Sequence, residues 1–213
     1  GVGDKYPGEQ VATPEGYARN PEQVINFYNE RRKQLLDVVP NAGHLGVADL
    51  ERDFNVTVVT QNVDNLHERA GSTHVIHLHG ELTKVCSSRD PYNPHFVKEL
   101  APEEYEVKLG DKAGDGTQLR PFIVWFGESV PEIETAIRYV EQADIFVIIG
   151  TSLNVYPAAG LLNYVPRAAE VYLIDPKPVD THVMRPIHVI QKGASEGVKE
   201  LKALLTVTQP PLP

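Results

Sequence analysis

A cluster of polar side chains directly follows a short β-branched segment in the first third of the chain. Residues 55–60 read Asn-Val-Thr-Val-Val-Thr, which is typical of a strand buried on both faces. At the end of such a strand, amides, a carboxylate and an imidazole would reach a cleft. A capped turn explains them equally well, because Asn and Asp form turns with their own backbone. The segment contains Gln61, Asn62, Val63, Asp64, Asn65 and His67.

Two histidines two residues apart form a second candidate, in the sequence His77-Leu78-His79-Gly80-Glu81. If residues 74–78 form a strand, His77 and His79 share one face, and Gly80 lets the backbone turn or approach closely. A histidine at a strand end suits a general base, because its ordinary pKa lies near neutral pH. A surface or core histidine is the plainer interpretation, and a metal pair lacks an apparent third ligand. The local pattern leaves a general base and an ordinary histidine both open, and we predict no metal site.

Three further segments suit phosphate and ribose groups. Gly150-Thr151-Ser152 follows the apolar segment 144–149 and offers N–H groups and hydroxyls, although it is neither Gly-x-Gly-x-x-Gly nor a P-loop. Asp175 ends the next predicted strand, where nucleotide-binding folds often place an acid on a ribose hydroxyl; a turn acid before Pro176 is the alternative. Gly193-Ala194-Ser195 precedes a predicted helix, either as exposed backbone or as an ordinary N-cap.

Tyr28 and Arg31 lie three residues apart on a predicted helix and therefore project from one face. A tyrosine hydroxyl beside a guanidinium can clamp a carboxylate, because Arg makes bidentate charge-assisted hydrogen bonds. Arg31 stands in the charged run 30–33, so a solvated helix face is the competing interpretation. The local pattern leaves both interpretations open.

Alternating strands and helices must position these residues. Near-continuous apolar strands that alternate with helices indicate a parallel α/β sheet with helices on both faces. Ligands of such sheets bind beyond the carboxyl ends of the strands. Residues 84–118 are polar and contain several Pro and Gly residues, which predicts a small inserted module. The predicted helices are 21–37, 41–53, 131–142, 157–165 and 195–205, and the predicted strands are 55–60, 74–78, 121–126, 144–149 and 170–174.

Composition excludes several classes of protein. The 213 residues include 29 Asp and Glu against 20 Lys and Arg, and the net charge of −9 argues against nucleic-acid or anionic-membrane partners. The hydrophobic content of 41% suits a soluble globular domain, and no apolar run approaches the length of a membrane span. A single cysteine excludes an internal disulfide and a Cys-based zinc site. We expect a cytoplasmic protein.

Taken together, these segments resemble the sirtuins, a family of NAD-dependent protein deacylases. The resemblance extends from Val11 to the last helix, and the motifs occur in the family's order. It implies a Rossmann-like α/β domain at 1–83 and 119–205, an inserted module at 84–118 and a tail at 206–213. The matching motifs are Thr60 to His67, His77 to Glu81, Val124-Trp-Phe-Gly-Glu128, Gly150 to Ser152, Val155-Tyr-Pro-Ala158 and Gly193 to Ser195.

Two segments near the start look most like the bacterial class III members of that family. They are Ala12-Thr-Pro-Glu-Gly16 and Phe27-Tyr-Asn-Glu-Arg31. The Tyr and Arg of those members match Tyr28 and Arg31 and recognise acidic acyl groups such as succinyl and malonyl. The resemblance therefore favours the carboxylate clamp.

The resemblance also implies a reaction. The acyl-lysine carbonyl oxygen attacks C1′ of the nicotinamide ribose of NAD, and nicotinamide leaves. His79 acts as general base on a ribose hydroxyl, and water completes the transfer to give lysine and O-acyl-ADP-ribose. Substrate peptides would pair with the main chain by strand addition. The residues implied for NAD are Gln61, Asn62, Val63, Asp64, Gly150, Thr151, Ser152, Asp175, Pro176, Lys177 and Ala194, and those implied for the substrate are Tyr28, Arg31, Phe126, Gly127, Glu128, Val155 and Tyr156.

Two features depart from the family pattern. Family members commonly bind zinc through two Cys-x-x-Cys pairs in the module, but here Cys86 stands alone, and Arg89, Lys112 and Asp115 occupy or lie near the other positions. We predict no zinc and a module held by ordinary packing, with Cys86 as a small buried residue or an inert thiol. The family's opening strand and Gly-Ala-Gly loop also have no counterpart, so we expect the chain to be truncated and to lack part of the NAD site.

The leading hypothesis is an NAD-dependent lysine desuccinylase or demalonylase that also accepts acetyl-lysine. A non-catalytic module that binds NAD or ADP-ribose is the alternative if the chain truly starts at Gly1. Another α/β nucleotide-binding enzyme is the third interpretation.

Overall fold

The computed structural model describes residues 6–151, 153, 156–178 and 185–208, so the predicted site residues Ser152 and Val155 lie outside the described residues. The chain divides into two compact units, each with its own hydrophobic cluster. The first unit comprises the described residues up to 39 together with 59–65 and 77–132. The second comprises 40–58, 66–76 and the described residues from 133 onward. These boundaries, which follow packing, differ from the predicted ones at 84 and 118.

Three helices open the first unit: α1 (Gly8–Val11), α2 (Pro14–Arg19) and α3 (Pro21–Leu35). Only α3 is predicted from the sequence, and its start is confirmed, because the Asn20 side chain accepts a hydrogen bond from the Gln23 N–H at 3.2 Å. The Thr13 hydroxyl caps α2 in the same way by accepting from the Gly16 N–H at 3.0 Å. The helices α1 and α2 escape prediction because each is too short to show a 3.6-residue apolar period.

Two short strands follow, β1 (Val58–Thr60) and β2 (Val75–His77), and they pair with each other. The Val58 N–H donates to the His74 carbonyl and the Leu78 N–H donates to the Thr60 carbonyl, both at 3.0 Å. Since the partner residue number increases in the same direction on both strands, the pair is parallel. Both strands are predicted, although the observed ones are shorter than 55–60 and 74–78.

An antiparallel sheet of order β4-β3-β5 forms the rest of the first unit, with β3 (Gly80–Ser87), β4 (Val97–Glu99) and β5 (Leu119–Ile123). The strand predicted at 121–126 is therefore observed as β5, but it pairs antiparallel with β3 and is not part of a parallel sheet. The sheet also extends beyond the predicted module at both ends. The physical reason is the ladder that joins Gly80 to Ile123 and Cys86 to Arg120, which local pattern cannot reveal.

Hydrogen bonds close the tip of this module around Ser87. The Ser87 side chain, which is fully buried, donates to Asp115 Oδ2 at 2.5 Å and accepts from the N–H groups of Arg89 and Asp90 at 3.0 and 2.9 Å. Asp115 in turn accepts from the hydroxyl of Thr117 at 2.7 Å. Polar side chains therefore connect the two ends of the insertion directly.

The second unit is built around a parallel sheet of order β6-β7-β8. The predicted α/β class is confirmed by this sheet and its helices. Its strands are β6 (Ile145–Ile149), β7 (Glu170–Ile174) and β8 (His188–Ile190), and its helices are α4 (Ala42–Asp49), α5 (Leu66–Ala70), α6 (Ile133–Val140), α7 (Ala158–Leu162) and α8 (Ala194–Thr208).

The start of α8 corrects one local prediction. The helix begins at Ala194, so Ser195 lies inside its first turn and is not the N-cap residue. The Gly197 N–H donates to the Gly193 carbonyl at 2.8 Å, which shows that the helical hydrogen bonds already start at Gly193. A Cβ at Gly197 would lie 2.2 Å from Cγ2 of Ile174, so the absent side chain lets the helix pack closely against β7.

Within the described residues, no helix combines the length and the apolar character that crossing a membrane requires.

Replacing Gly80 tests how much the β3–β5 contact constrains the first unit. Gly80 has φ +90°, and a Cβ there would lie 2.1 Å from the Phe122 carbonyl oxygen. We expect Gly80→Ala to lower the free energy of unfolding by more than the ~1–3 kcal/mol that such backbone strain alone costs. Gly110→Ala is the matched control, because Gly110 has φ +98° but no atom within 4 Å of the same position. Equal losses in urea denaturation of the two variants would contradict the steric argument.

Candidate functional site

Hydrogen bonds to its own main-chain atoms fix the loop after β1, and one of the partners is His77. The Asn62 N–H donates to the Thr60 hydroxyl at 3.0 Å, and the Asn62 carbonyl lies 3.0 Å from Nδ1 of His77. The Leu82 N–H donates to the Val63 carbonyl at 2.8 Å. On the loop's side these contacts use only main-chain atoms. The side chains of Gln61 and Asn62 are exposed, and Asp64 is partly buried. The loop therefore presents amides on a fixed backbone, as a binding role requires.

His77 and His79 do not share a strand face, in contrast to the prediction. β2 ends at His77 and β3 begins at Gly80, whose positive φ redirects the chain between the two strands. His77 is buried, with Nε2 3.9 Å from Oε1 of Glu81, whereas His79 is only partly buried. The two histidines therefore have separate roles, and His77 supports the Asn62 loop.

His79 has the environment of a neutral base. Its carbonyl accepts a hydrogen bond from the Val124 N–H at 2.8 Å, which fixes its backbone beside the end of β5. Burial lowers the pKa of His79 below its ordinary value, and a backbone hydrogen bond at Leu78 only partly opposes this effect. The imidazole is consequently neutral at pH 7 and able to accept a proton.

Arg31 lines a cavity of about 390 Å³ on the exposed side of α3. Its guanidinium carbon lies 4.8 Å from the centre of the Phe27 ring, and Nη1 donates to Oε1 of Gln34 at 3.2 Å. Glu22 and Glu30 line the same cavity, so the cavity has no excess of positive charge. An anionic ligand would therefore have to contact Arg31 itself.

Tyr28 does not line the cavity that Arg31 lines. It is 4% exposed, and its hydroxyl accepts a hydrogen bond from Nε1 of Trp125 at 3.0 Å. Burial raises the pKa of Tyr28 to about 12, so the hydroxyl stays protonated. The predicted clamp is thus assembled only in part, because packing against Trp125 turns the tyrosine inward.

Phe126, Gly127 and Glu128 form a turn after β5. Phe126 is 70% exposed at the tip of this turn. The carboxylate of Glu128 faces inward and pairs with Arg120 through two hydrogen bonds of 3.0 and 3.2 Å. Arg120 is missing from the predicted site, although an arginine inside an apolar strand is a signal that could have identified it.

The remaining predicted residues belong to the second unit and lie at the carboxyl end of its parallel sheet. Gly150 follows β6 with φ +70°, and no atom lies within 4 Å of the position its Cβ would take. Asp175 follows β7, and its Oδ1 accepts from the Lys177 N–H at 2.8 Å, which is the turn-acid geometry. The exposed residues Ala194, Pro176 and Tyr156 and the partly buried Thr151 complete the predicted set in this unit.

The module's side chains do not fit a structural zinc ion. Cys86 is fully buried, burial raises the pKa of its thiol to about 12, and its Sγ donates to the Pro121 carbonyl at 3.7 Å. Zinc binding needs thiolate, imidazole or carboxylate ligands, and usually four of them. Arg89 and Lys112 cannot supply a ligand, and Asp115 is already hydrogen-bonded to Ser87.

Comparisons with known proteins agree on one family. The model of the Sir2 family matches residues 1–157. An NAD-dependent protein deacylase of Bacteroides thetaiotaomicron is 82% identical over 205 residues, covering 96% of this chain and 88% of that protein. An NAD-dependent protein deacylase of Helicobacter pylori is 47% identical over 192 residues, covering 90% of this chain and 81% of that protein.

Solved structures give the same answer. A Sir2 homolog–NAD complex is 34% identical and aligns with a TM-score of 0.79 over 96% of this chain and 79% of that one. A complex of Sir2, p53 peptide and NAD+ is 25% identical, with a TM-score of 0.70 over 91% of this chain and 82% of that one. The family match covers more than half of the chain and contains His79 and the Gln61–Asp64 loop. The chain belongs to the Sir2 family.

Proposed function

We propose that this protein is an NAD-dependent protein-lysine deacylase that prefers succinyl- and malonyl-lysine and also removes acetyl groups. The relatives named NAD-dependent protein deacylase support the reaction class, and the Sir2 complex with a peptide supports an acyl-lysine peptide as substrate. The observation that carries the proposal is a neutral, partly buried His79 on a fixed backbone. The products are nicotinamide, free lysine and O-acyl-ADP-ribose.

The residues of each unit fit NAD by their chemistry. In the first unit, the exposed amides of Gln61 and Asn62 and the carboxylate of Asp64 suit a nicotinamide carboxamide and ribose hydroxyls, and the buried Asn65 Oδ1 has no hydrogen-bond partner among the described residues. In the second, open backbone at Gly150 and the N-terminus of α8 suit phosphates. When bound, NAD supplies the electrophilic ribose carbon that accepts the acyl oxygen.

His79 moves the proton in this reaction. Its neutral imidazole accepts the proton of a ribose hydroxyl, which makes that oxygen a better nucleophile toward the acyl carbon. The backbone hydrogen bond from Val124 holds the residue in place while the proton moves. The lowered pKa keeps the base unprotonated at neutral pH, where it has to act.

Arg31 selects the acyl chain in this proposal. A succinyl or malonyl carboxylate entering the cavity would accept charge-assisted hydrogen bonds from the guanidinium, which Phe27 and Gln34 already orient. An acetyl group offers no carboxylate and gains none of this energy. Tyr28 contributes only indirectly, because its hydroxyl accepts a hydrogen bond from Nε1 of Trp125 and does not line the cavity.

Removing the base should abolish turnover but leave substrate binding intact. We expect His79→Ala to reduce the steady-state release of free lysine from a succinyl-lysine peptide by about 10²–10⁴-fold, the usual contribution of a general base. His95→Ala is the control, since His95 is exposed and lies outside the site. A His79→Ala variant that turns over at more than a tenth of the wild-type rate would contradict the assigned role.

The pH profile should report the lowered pKa of His79. Because the base works unprotonated, kcat/KM falls as the pH drops through the folded-state pKa, and that pKa lies below the ordinary value of 6.5. We expect the acid limb of the profile to have its midpoint below pH 6.5. A midpoint above that value would mean that burial does not control this group.

Acyl preference should depend on Arg31. We expect Arg31→Met to lower the ratio of kcat/KM for succinyl- over acetyl-peptide by about 10–100-fold, the loss of a charge-assisted hydrogen bond. Activity on the acetyl-peptide should change little. Arg19→Met, at an exposed position at the end of α2, is the control. An unchanged ratio in Arg31→Met would eliminate Arg31 as the selecting residue.

We also propose that the module holds no zinc and that the Ser87–Asp115–Thr117 hydrogen bonds replace it. Dialysis against EDTA should then leave the Tm unchanged, whereas Asp115→Asn, which weakens two of these bonds, should lower it. Glu103→Gln, at an exposed position in the same module, is the control for loss of a carboxylate. Metal analysis that finds one zinc per chain, with a Tm that falls on chelation, would refute this part of the proposal.

A further inference from the structure

A tight turn after β5 presents an exposed stretch of main chain. The Glu128 N–H donates to the Trp125 carbonyl at 3.0 Å, which closes a four-residue turn. Gly127 occupies its third position with φ +87°, as a type II turn requires. Among the described residues, no hydrogen bond engages the Gly127 N–H or the carbonyls of Phe126 and Gly127. These groups can therefore pair with another extended chain.

A buried ion pair lies directly beneath this turn. Arg120 is 4% exposed, and its two terminal nitrogens donate to the two carboxylate oxygens of Glu128 at 3.0 and 3.2 Å. The same guanidinium donates to the Ile123 carbonyl at 2.7 Å and to the Pro121 carbonyl at 3.2 Å. Arg120 thus connects the end of β5 to the last residue of the turn.

The carboxylate of Glu128 also holds the first residue of the turn. Its Oε1 accepts from the Trp125 N–H at 2.8 Å and from the Tyr92 hydroxyl at 3.1 Å. The guanidinium carbon of Arg120 lies 3.8 Å from the centre of the Trp125 ring. Both ends of the turn are therefore attached to one buried ion pair, whereas its tip has no such support.

The conformation of the tip needs this support. Phe126 is 70% exposed, so burial does not hold it, and Gly127 is the residue type with the greatest backbone freedom. The Phe126 N–H donates to the Ala12 carbonyl at 3.0 Å, which restrains one side only. A planar guanidinium that binds a carboxylate through two parallel bonds supplies the directional restraint that a lysine cannot.

We propose that Arg120 and Glu128 are positioning residues that hold the Phe126–Gly127 main chain in the conformation that pairs with the acyl-lysine peptide. The inference rests on the proposed deacylase function; it adds Arg120 to the site and has the Glu128 side chain act on substrate affinity without touching the substrate. Tyr92 belongs to the same group, since it attaches the inserted module to the Glu128 carboxylate.

The test separates peptide binding from chemistry. Arg120→Lys keeps the charge but loses the paired hydrogen bonds, and Tyr92→Phe removes a single hydrogen bond and preserves the ion pair. Nicotinamide release is measured against a succinyl-lysine peptide and against NAD. We expect KM for the peptide to rise about tenfold or more in Arg120→Lys and a few-fold in Tyr92→Phe. The kcat and the KM for NAD should stay within about twofold of wild type.

Arg52→Lys is the matched control, because Arg52 makes an ion pair of 3.0 Å with Asp49 but is 81% exposed. It should leave both KM values unchanged. Circular dichroism of each variant measures its folded fraction. Anisotropy of a fluorescein-labelled succinyl-lysine peptide should show weakening of binding in the same order as the KM values.

The outcomes distinguish the two proposals. Suppose that the wild type is active and that Arg120→Lys lowers only the folded fraction or kcat, with an unchanged KM for the peptide. This result would overturn the positioning role, but it would not affect the deacylase function. Tyr92→Phe with wild-type affinity would overturn the link to the module. A wild type that releases no nicotinamide with any acyl-peptide would refute the proposed function, and the inference with it.

Discussion

The close approach of β3 and β5 at Gly80 is the constraint on which the first unit depends. The missing side chain allows the Phe122 carbonyl to come within 2.1 Å of where a Cβ would stand, and this contact belongs to the end of the ladder where Gly80 pairs with Ile123. At the same end, the Val124 N–H donates to the His79 carbonyl. The register shifts between Gly80 and Val85, and the shifted part of the ladder places Arg120 opposite Cys86. The backbone of the proposed base thus lies beside this steric contact, and the buried Arg120 beneath the turn after β5 belongs to the part of the ladder beyond the shift.

Two buried arginines in this unit are stabilised in different ways. Arg32 has no carboxylate partner in the described contacts; it donates to the carbonyl of Tyr105 at 2.7 Å and to Asn29 Oδ1 at 2.6 Å, and burial lowers its pKa to about 10. Arg120 is also desolvated, which by itself lowers its pKa, but the hydrogen bonds that its guanidinium donates to Glu128 outweigh this effect and raise the pKa. Removing either partner of the Arg120–Glu128 pair would leave the other as an uncompensated buried charge, whereas the acceptors of Arg32 are neutral. The Arg120 pair therefore restrains the turn more strongly than neutral hydrogen bonds would.

Prediction from the sequence succeeds where a segment's own residues indicate its structure. It fails where the structure depends on a packing or pairing partner that is distant in the sequence. The helix α3 has a capping Asn and a Pro at its first position, and β6 and β7 are continuous apolar runs, so all three are found close to their observed bounds. The direction of β5 is missed because its apolar pattern suits a parallel or an antiparallel neighbour equally. The prediction that His77 and His79 share a strand face is wrong, because the chain turns at Gly80.

The family, the position of the proposed base and the chemical types at the site can be read from the order of the residues, because they depend only on which residues occur where. Which of these residues face a cavity and which support other residues depends on how the chain folds. Tyr28 turns toward Trp125, His77 holds a loop backbone, and the Glu128 carboxylate pairs with Arg120. The physical reason is that burial and pairing depend on residues that are distant in sequence. In a close-packed interior, each side chain can contact only one such group of neighbours.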